Sequence, residues 1–493
     1  MVVSDLREWL AVVDELGEVQ RIGAEVDVDE EMSAITYLAG RREGGPALLF
    51  ENIAGRPGYR ALWNPFGSSR RRIAVALGED PELTTTELIE ATMRKLDRVI
   101  EPKLVDSAGA LVYQNTLTGD QVDLAKLPAA TFWPGDGGRY LGTADSVITR
   151  NPEGGNLNLG TYRMMVQGRD EIGLYLSPGK DALLHIEGRW ARGEDVPVCV
   201  VLGVDPLQFL VSSQSFPKNV SEYDHVGGLR GAPVEVVRAR HSDLLIPARA
   251  DVVLECVAEP GARRMEGPFG EFTGYYGRPE GAAPLLRVKA IHHRDDPIVT
   301  HALMADHPAC EQSTFFGVVR SARIWNDLQR MGIPGIAGVY SHPAAAGGFG
   351  VVVISLAQRY AGHAAQALAL AAQCPGGAYY TKWIVAVDDD VDPTDLNDVL
   401  WAMSTRCSPI DDIDILRKTW STPLDPTLNP PEIRRYGSKA LINACRDHRY
   451  LDVFSQRTAL RREVYDRVAR RWTELGFSGA PLAPRSFHPE ESS

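Results

Sequence analysis

Apolar and polar positions divide the chain into three stretches of different texture and a tail. In the first stretch, Leu6, Trp9, Leu10 and Val13 recur at helical spacing behind Ser4, which predicts a helix capped by that serine. Leu88, Ile89, Leu96, Val99 and Ile100 mark a second helix. Between them, 47–50 and 59–63 read as short strands. Residues 1–115 are therefore expected to form a small N-terminal α/β domain.

From 116 the pattern changes to short β-branched runs at 146–149, 164–166, 174–176, 198–202, 234–237, 252–257, 285–291 and 298–303, punctuated by Gly, Pro, Asn and Asp. Among them only 182–190 has a helical period. Strands broken at regular intervals by turn signals predict a β-barrel or sandwich over 116–310. A third texture covers 311–455. Its run Val351-Val352-Val353-Ile354 suits a strand buried on both faces. The Ala-rich 357–374 suits a helix, and 384–387 returns as a strand. That β–α–β order predicts a right-handed crossover in a parallel sheet. Residues 456–493 hold one more helical stretch near 458–475 and a Pro- and Ser-containing end.

Composition narrows the classes. Hydrophobic residues make up 44% and charged residues 24% of the 493, ordinary values for a globular protein. A net charge of −13 disfavours a nucleic-acid or anionic-membrane binder, and an anionic ligand would need a local cation to hold it. No 18-residue apolar run predicts a membrane span. The first residues carry acids inside their apolar stretch and lack the pattern of a secretory signal. The six cysteines, at 199, 256, 310, 374, 407 and 445, are scattered, as expected of reduced buried thiols in a cytoplasmic protein.

Candidate chemistry gathers in the middle of the chain. Glu266 and Glu271 stand five residues apart with Gly-Pro-Phe-Gly between them, which predicts a tight turn. Two close carboxylates repel, so one is pushed toward keeping its proton beside an ionised partner, an acid–base arrangement. The same six residues also fit a solvated acidic turn. Residues 156–163 supply amide oxygens, a glycine and Arg163, whose planar fork suits a carboxylate or phosphate. They fit equally a turn entering the next strand. Asn158 and Glu222 together would suit a hard divalent cation, and Val211-Ser212-Ser213-Gln214 offers hydroxyls and backbone N–H groups. Asp388 to Asp392 begins like a calcium loop, but Pro393 and Val399 stand where its glycine and bidentate glutamate belong. Lys382 is a phosphate contact or a solvated charge. No dinucleotide glycine fingerprint, P-loop or nucleophile elbow is present.

Taken together these motifs resemble the UbiD family of reversible decarboxylases that use prenylated FMN. They occur in order: Asp136-Gly-Gly-Arg-Tyr140, Asn158-Leu-Gly-Thr-Tyr-Arg163, Ser212-Ser213, Ser221-Glu222-Tyr223, Glu266-Gly-Pro-Phe-Gly-Glu271, and Lys382 ahead of Val387 and its acids. The resemblance implies a multidomain α+β fold: an N-terminal α/β unit, a central split β-barrel of the flavin-reductase-like type holding the cofactor, and a C-terminal α/β domain whose last helix helps build a homodimer or larger homo-oligomer. It implies Arg163, Glu266 and Glu271 as the catalytic trio. It implies Asn158, Thr161, Tyr162, Arg163, Leu176, Ser177, Lys180, Asp181, Ser212, Ser213, Glu222 and Lys382 as cofactor contacts. Asn158, Glu222 and Asp181 would ligate manganese or magnesium, and carbonyls of residues 211–214 a potassium ion. Asp181 departs from the family pattern, which places a histidine there; His185 lies four residues on. The substrate would be an α,β-unsaturated, aromatic or heteroaromatic carboxylic acid, in a pocket drawn from residues near 303–316 and 436–442. A flavin prenyltransferase would supply the cofactor. Two other readings share these motifs: an oxidoreductase using ordinary FMN on the same barrel, and a catalytically silent homologue acting as a binding or assembly module.

Overall fold

The computed structural model describes residues 3–214, 216, 220–428, 435–484 and 487. Its first helix, Leu6–Glu15, buries Leu6, Trp9, Leu10 and Val13 as their spacing predicts. Its cap is Asp5 rather than Ser4: the Asp5 carboxylate accepts from Glu8 N at 2.8 Å, while Ser4 Oγ donates to the Glu8 side chain at 2.7 Å. Ser4 lies one residue too far out to reach the third helical N–H. The second helix expected from the sequence is Thr85–Met93, opened by a Thr84–Glu87 capping box, and it stops short of Leu96, Val99 and Ile100; the helices Glu31–Gly40 and Arg70–Ala76 precede it.

The N-terminal sheet orders Val19–Ile22, Ala47–Phe50, Arg60–Trp63 and Ile298–His301. The last of these was expected among the barrel strands; it runs parallel to Arg60–Trp63 instead. Local patterning identifies a strand but not its partner.

The central sheet is antiparallel and curls into a half-barrel. Its path runs Tyr140–Gly142, Met164–Val166, Glu171–Leu174, Gly281–His293, Val252–Ala258, Val196–Leu202, Asp145–Arg150, Leu157–Gly160, with Asn115–Thr118 and Arg263–Glu266 also paired to the long Gly281–His293 strand. Both faces are covered. In Val196–Leu202, Val198, Val200 and Leu202 point into the barrel core, while Cys199 and Val201 join the larger core shared with the N-terminal part. The strand predicted at 174–176 ends at Leu174, and Tyr175 leaves the ladder for the site described below.

In the C-terminal part, Ile336–Ser341, Val351–Leu356, Trp383–Asp388, Gly437–Ala444 and Ile413–Thr419 form a mixed sheet. Val351–Leu356 and Trp383–Asp388 are parallel and joined through the helix His363–Gln373, the predicted crossover. The helix Gln312–Arg330, which sequence patterning did not identify, packs beside this sheet. The helix Arg462–Arg470 buries none of its residues on the chain. Among the described residues no helix is long and apolar enough to cross a membrane, and all six cysteines are unpaired.

Candidate active site

Arg163 follows the Leu157–Gly160 strand and meets the glutamate turn more than a hundred residues away. Its Nε donates to Glu266 Oε1 at 2.8 Å and its Nη2 to Glu266 Oε2 at 3.1 Å, a two-pronged pair. Its Nη1 donates to Glu271 Oε1. The guanidinium carbon also lies 4.2 Å from the Tyr175 ring centre and 5.2 Å from that of Phe269. All three charged side chains are buried, at 8%, 0% and 6% exposure. The acids therefore sit on a buried turn, not a solvated one.

The turn is built to hold them. Glu266 closes the Arg263–Glu266 strand, and Gly267 adopts φ +89, a conformation that costs glycine little and other residues a great deal. Asp136 secures the far side: its Oδ1 accepts from Gly270 N at 3.0 Å and its Oδ2 from Trp133 N at 2.9 Å. Gly137 N donates to Pro268 O at 2.8 Å, and a side chain at 137 would run into the Gly267 carbonyl. Tyr140 OH donates to Glu266 Oε1 at 3.0 Å. Sequence reasoning recorded the 136–140 motif without assigning these roles, and it missed Tyr175 entirely. The signal available was a tyrosine and an aspartate flanking paired glycines.

The environment separates the two glutamates. Burial pushes Glu271 up to about 7, with Glu266 and Asp136 adding to the rise and Arg163 opposing it. Glu266 receives two guanidinium donors and a phenol, whereas Arg163 makes one contact to Glu271. The site thus holds an acid with an available proton beside a fixed cation.

A second group forms one strand turn away. Asn158 lies on Leu157–Gly160, and Glu222 opens the helix Glu222–Arg230 with its carboxylate accepting from Leu159 N at 2.7 Å. Asp181 opens the helix Asp181–Trp190; its charge acts on both Glu222 and Tyr162, whose hydroxyl also bonds the Asn158 side chain. So Asn158, Tyr162, Asp181 and Glu222 do come together. His185, on the next turn of the Asp181 helix, is buried with Nδ1 3.0 Å from Thr149 Oγ1, and Thr149 is the cross-strand partner of Asn158. Ser212 Oγ lies 2.8 Å from Ser146 Oγ, and its carbonyl accepts from Thr161 N at 3.1 Å. Ser213 Oγ donates to Leu210 O at 2.7 Å. Leu176 is buried, and Ser177 Oγ donates to Tyr175 OH at 3.2 Å. Lys180 Nζ lies 6.0 Å from the Tyr379 ring centre. Lys382 Nζ pairs with Asp425 at 2.8 Å and bonds Thr427 at 3.1 Å.

These residues fit a metal and a phosphate. Asn158 is buried, and its amide oxygen is the atom that could ligate a hard cation. Burial pushes Glu222 up to about 7, and the charges of Asp181 and Asp224 add to the rise. An amide and two carboxylates make an all-oxygen donor set, which suits manganese or magnesium better than a soft ion. Among the described residues no group of three or more His, Cys, Asp or Glu is placed to hold a metal ion. Lys180 is half-buried, and burial depresses its ammonium against the opposing Asp181 charge.

Comparisons with known proteins extend over the same regions. Residues 10–92, 103–307 and 313–444 match the N-terminal, Rift-related and C-terminal domains of 3-octaprenyl-4-hydroxybenzoate carboxy-lyase. A phenolic acid decarboxylase of Escherichia coli O157:H7 is 32% identical over 443 residues, covering 88% of this chain and 90% of the relative. One from Streptomyces sp. (strain D7) is 33% identical over 456 residues, covering 90% and 92%. Among solved structures, vanillic acid decarboxylase of Sedimentibacter hydroxybenzoicus in its closed form superposes with a TM-score of 0.84 at 29% identity, covering 96% of this chain and 99% of that one. The UbiD-class enzyme HmfF from Pelotomaculum thermopropionicum in complex with FMN gives 0.82 at 27%, covering 92% and 97%. An evolved dimeric form of HmfF in complex with prFMN gives 0.80 at 27%, with the same coverage.

Proposed function

The chain belongs to the UbiD family of carboxy-lyases, and from that premise we propose that it decarboxylates an aromatic or other α,β-unsaturated carboxylic acid with prenylated FMN bound in the half-barrel. The aromatic acids named for its full-length relatives and the FMN and prFMN of its structural neighbours support this reading. The observation that carries it is one buried guanidinium joined to two glutamates of which one holds a proton near neutrality.

When bound, the prenylated flavin supplies an electron sink for the electron pair left on the substrate carbon as CO2 departs. The protein does the rest. Arg163, fixed by Glu266 and flanked by Tyr175 and Phe269, keeps two N–H groups beyond those given to the glutamates, and these hold the substrate carboxylate. Glu266 and Tyr140 keep the guanidinium from turning. Glu271 Oε delivers its proton to the carbon that lost CO2 and is recharged from solvent after product leaves. Burial of the cluster excludes water from the charged groups.

Asn158, Asp181 and Glu222 would hold the divalent ion against the cofactor phosphate, with Thr161, Tyr162, Leu176, Ser177, Lys180, Ser212 and Ser213 lining the cradle and carbonyls of 211–214 receiving potassium. Lys382 would reach the phosphate on release from Asp425. The unburied helix Arg462–Arg470 would pack on a second copy. The test is to produce the chain together with a flavin prenyltransferase, record the mass and visible spectrum of the bound cofactor, and screen vanillic and 3,4-dihydroxybenzoic acids first for CO2 release. Bound, unmodified FMN that NAD(P)H reduces, with no CO2 from any unsaturated acid, would overturn the proposal.

A further inference from the structure

A cavity of about 300 Å3 lies apart from the Arg163 cluster. It is enclosed by the start of the Leu6–Glu15 helix, the helices Pro206–Ser212 and Glu222–Arg230, and the small sheet of Lys103–Leu104, Glu235–Arg238 and Leu245–Pro247. Val201, Pro233, Val234 and Pro247 give it apolar wall.

Most charge on that wall is already engaged. Asp5 caps its helix and accepts from Arg249 Nε at 3.0 Å, and Arg249 Nη2 reaches Glu8 at 2.6 Å. Asp205 Oδ1 caps Leu207 N at 3.0 Å, and its Oδ2 pairs with Arg230. Lys103 and Glu235 are register neighbours on adjacent parallel strands, so their charges offset at the rim. Two N–H donors remain. Gln208 is 1% exposed and Arg230 9%; both line the cavity, and neither Gln208 Nε2 nor Arg230 Nε has an acceptor. A buried donor left unpaired costs about 1–3 kcal/mol, and two beside one void call for an occupant with acceptor oxygens.

We propose that this cavity is a second, non-catalytic binding site for a small organic carboxylate, its oxygens taken by Arg230 and Gln208 after a small rotation of their head groups and its apolar body by the Val201, Val234 and Pro247 wall. The two walling helices give the site a consequence. Pro206–Ser212 carries Gln208 at the cavity and Ser212 at its far end, where the Ser212 carbonyl meets Thr161 N. Glu222–Arg230 carries Arg230 at the cavity and Glu222 at its far end, on Leu159 N. Occupancy is thus linked to the flavin cradle, and by linkage flavin changes affinity for the carboxylate by the same factor. The coupling rests on the cradle assignment above; the binding does not.

The probe is 4-fluorobenzoate, titrated into the purified full-length chain and followed by fluorine NMR. Ala232, half-buried at the mouth, is changed to Phe to fill the cavity, and Gln208→Leu removes one donor without adding bulk. A binding event that persists in Arg163→Met, where the active-site contact to a carboxylate is gone, is expected, and it weakens by about tenfold or more in both cavity variants. Absence of binding at millimolar probe, or cavity variants that titrate like wild type, overturns the site; should Ala232→Phe fail to fold, Gln208→Leu decides. FMN titrated with and without saturating probe reads the coupling. A shift of about threefold or more in wild type, absent in Gln208→Leu, supports it, and equal FMN affinities overturn it.

Discussion

The proton on Glu271 can be removed or moved, and both tests have a worked magnitude. An ordinary glutamate at the reference value of 4.5 carries its proton in about one molecule in 300 at pH 7; with its value pushed up to about 7, about half carry it. That is roughly a 150-fold gain in the acid form, ~3 kcal/mol of differential interaction. The sign follows from the direction of the shift. The acid form is present below about pH 7 and lost as the pH rises through it, so turnover should be level on the acid side and fall about tenfold per unit above. The same shift enters folding: the stability this group contributes is whole below about 4.5 and is lost as the pH rises to about 7, because the folded chain binds the proton more tightly. The assay is CO2 release by the cofactor-loaded enzyme across neutral pH, with cofactor content read from its spectrum. Glu271→Gln should lower turnover by about 10²–10⁴-fold with cofactor still bound. A limb centred below about pH 5.5, or near-normal turnover in the variant, would refute Glu271 as the proton donor.

Tyr140→Phe removes a hydrogen bond to a charged group worth about 1.5–3 kcal/mol, so kcat/KM should drop about ten- to a hundredfold with cofactor content unchanged; an unaltered kcat/KM counts against its positioning role. Glu222→Gln should leave the isolated protein with little manganese by elemental analysis, and a full complement would remove Glu222 from the ligand set. Gly137→Ala drives a side chain into the Gly267 carbonyl and should cost about 1–3 kcal/mol, read as a lower thermal midpoint with loss of turnover; a silent variant would mean the turn is not held there. Truncation after residue 455 should lower the mass found by light scattering, since no residue of the Arg462–Arg470 helix is fully buried on its own chain.

Short β-branched runs bounded by turn residues made the strands legible. Which face each side chain takes was not: 198–202 is apolar throughout, and only the fold sends Val198, Val200 and Leu202 to one core and Cys199 and Val201 to the other. Partnering was not readable. Ile298–His301 has the pattern of its barrel neighbours, yet it pairs with Arg60–Trp63, a contact fixed by the closing of the chain over more than two hundred residues. The helix Gln312–Arg330 was hidden for a different reason. Arg320 and Ser321 interrupt its apolar stripe, and both are buried: Arg320 donates to the carbonyls of Gly376, Gly348, Phe349 and Tyr379, and Ser321 accepts from Ser341 N. A buried arginine satisfied by carbonyls looks, in sequence, like a solvated one. Within the site, the trio was visible as a motif set, but Tyr175 was not, because what places it over Arg163 is the end of a strand and not a spacing.

Why the proton rests on Glu271 follows from counting charges and donors. A buried guanidinium beside two ionised carboxylates carries a net charge of −1, which is costly out of water, and one bound proton brings the cluster to zero. The pair shares that proton, and it settles on the carboxyl with fewer donors: Glu266 receives two N–H bonds and the Tyr140 hydroxyl, Glu271 a single N–H. Asp136, close enough to raise Glu271 further, is itself anchored by backbone N–H groups. Transfer of the proton to substrate would leave the cluster at −1 again, the state it is built to avoid, so the geometry that makes Glu271 an acid also drives its reprotonation. Arg163→Met would remove the cation and leave two facing acids. The expected result is not a slower enzyme with the same profile but one whose acid limb moves upward in pH as turnover collapses, since the larger of the two charges opposing the rise of Glu271 is gone and only Arg278 remains. A collapse with the limb unmoved would mean that Arg163 binds substrate without setting the proton.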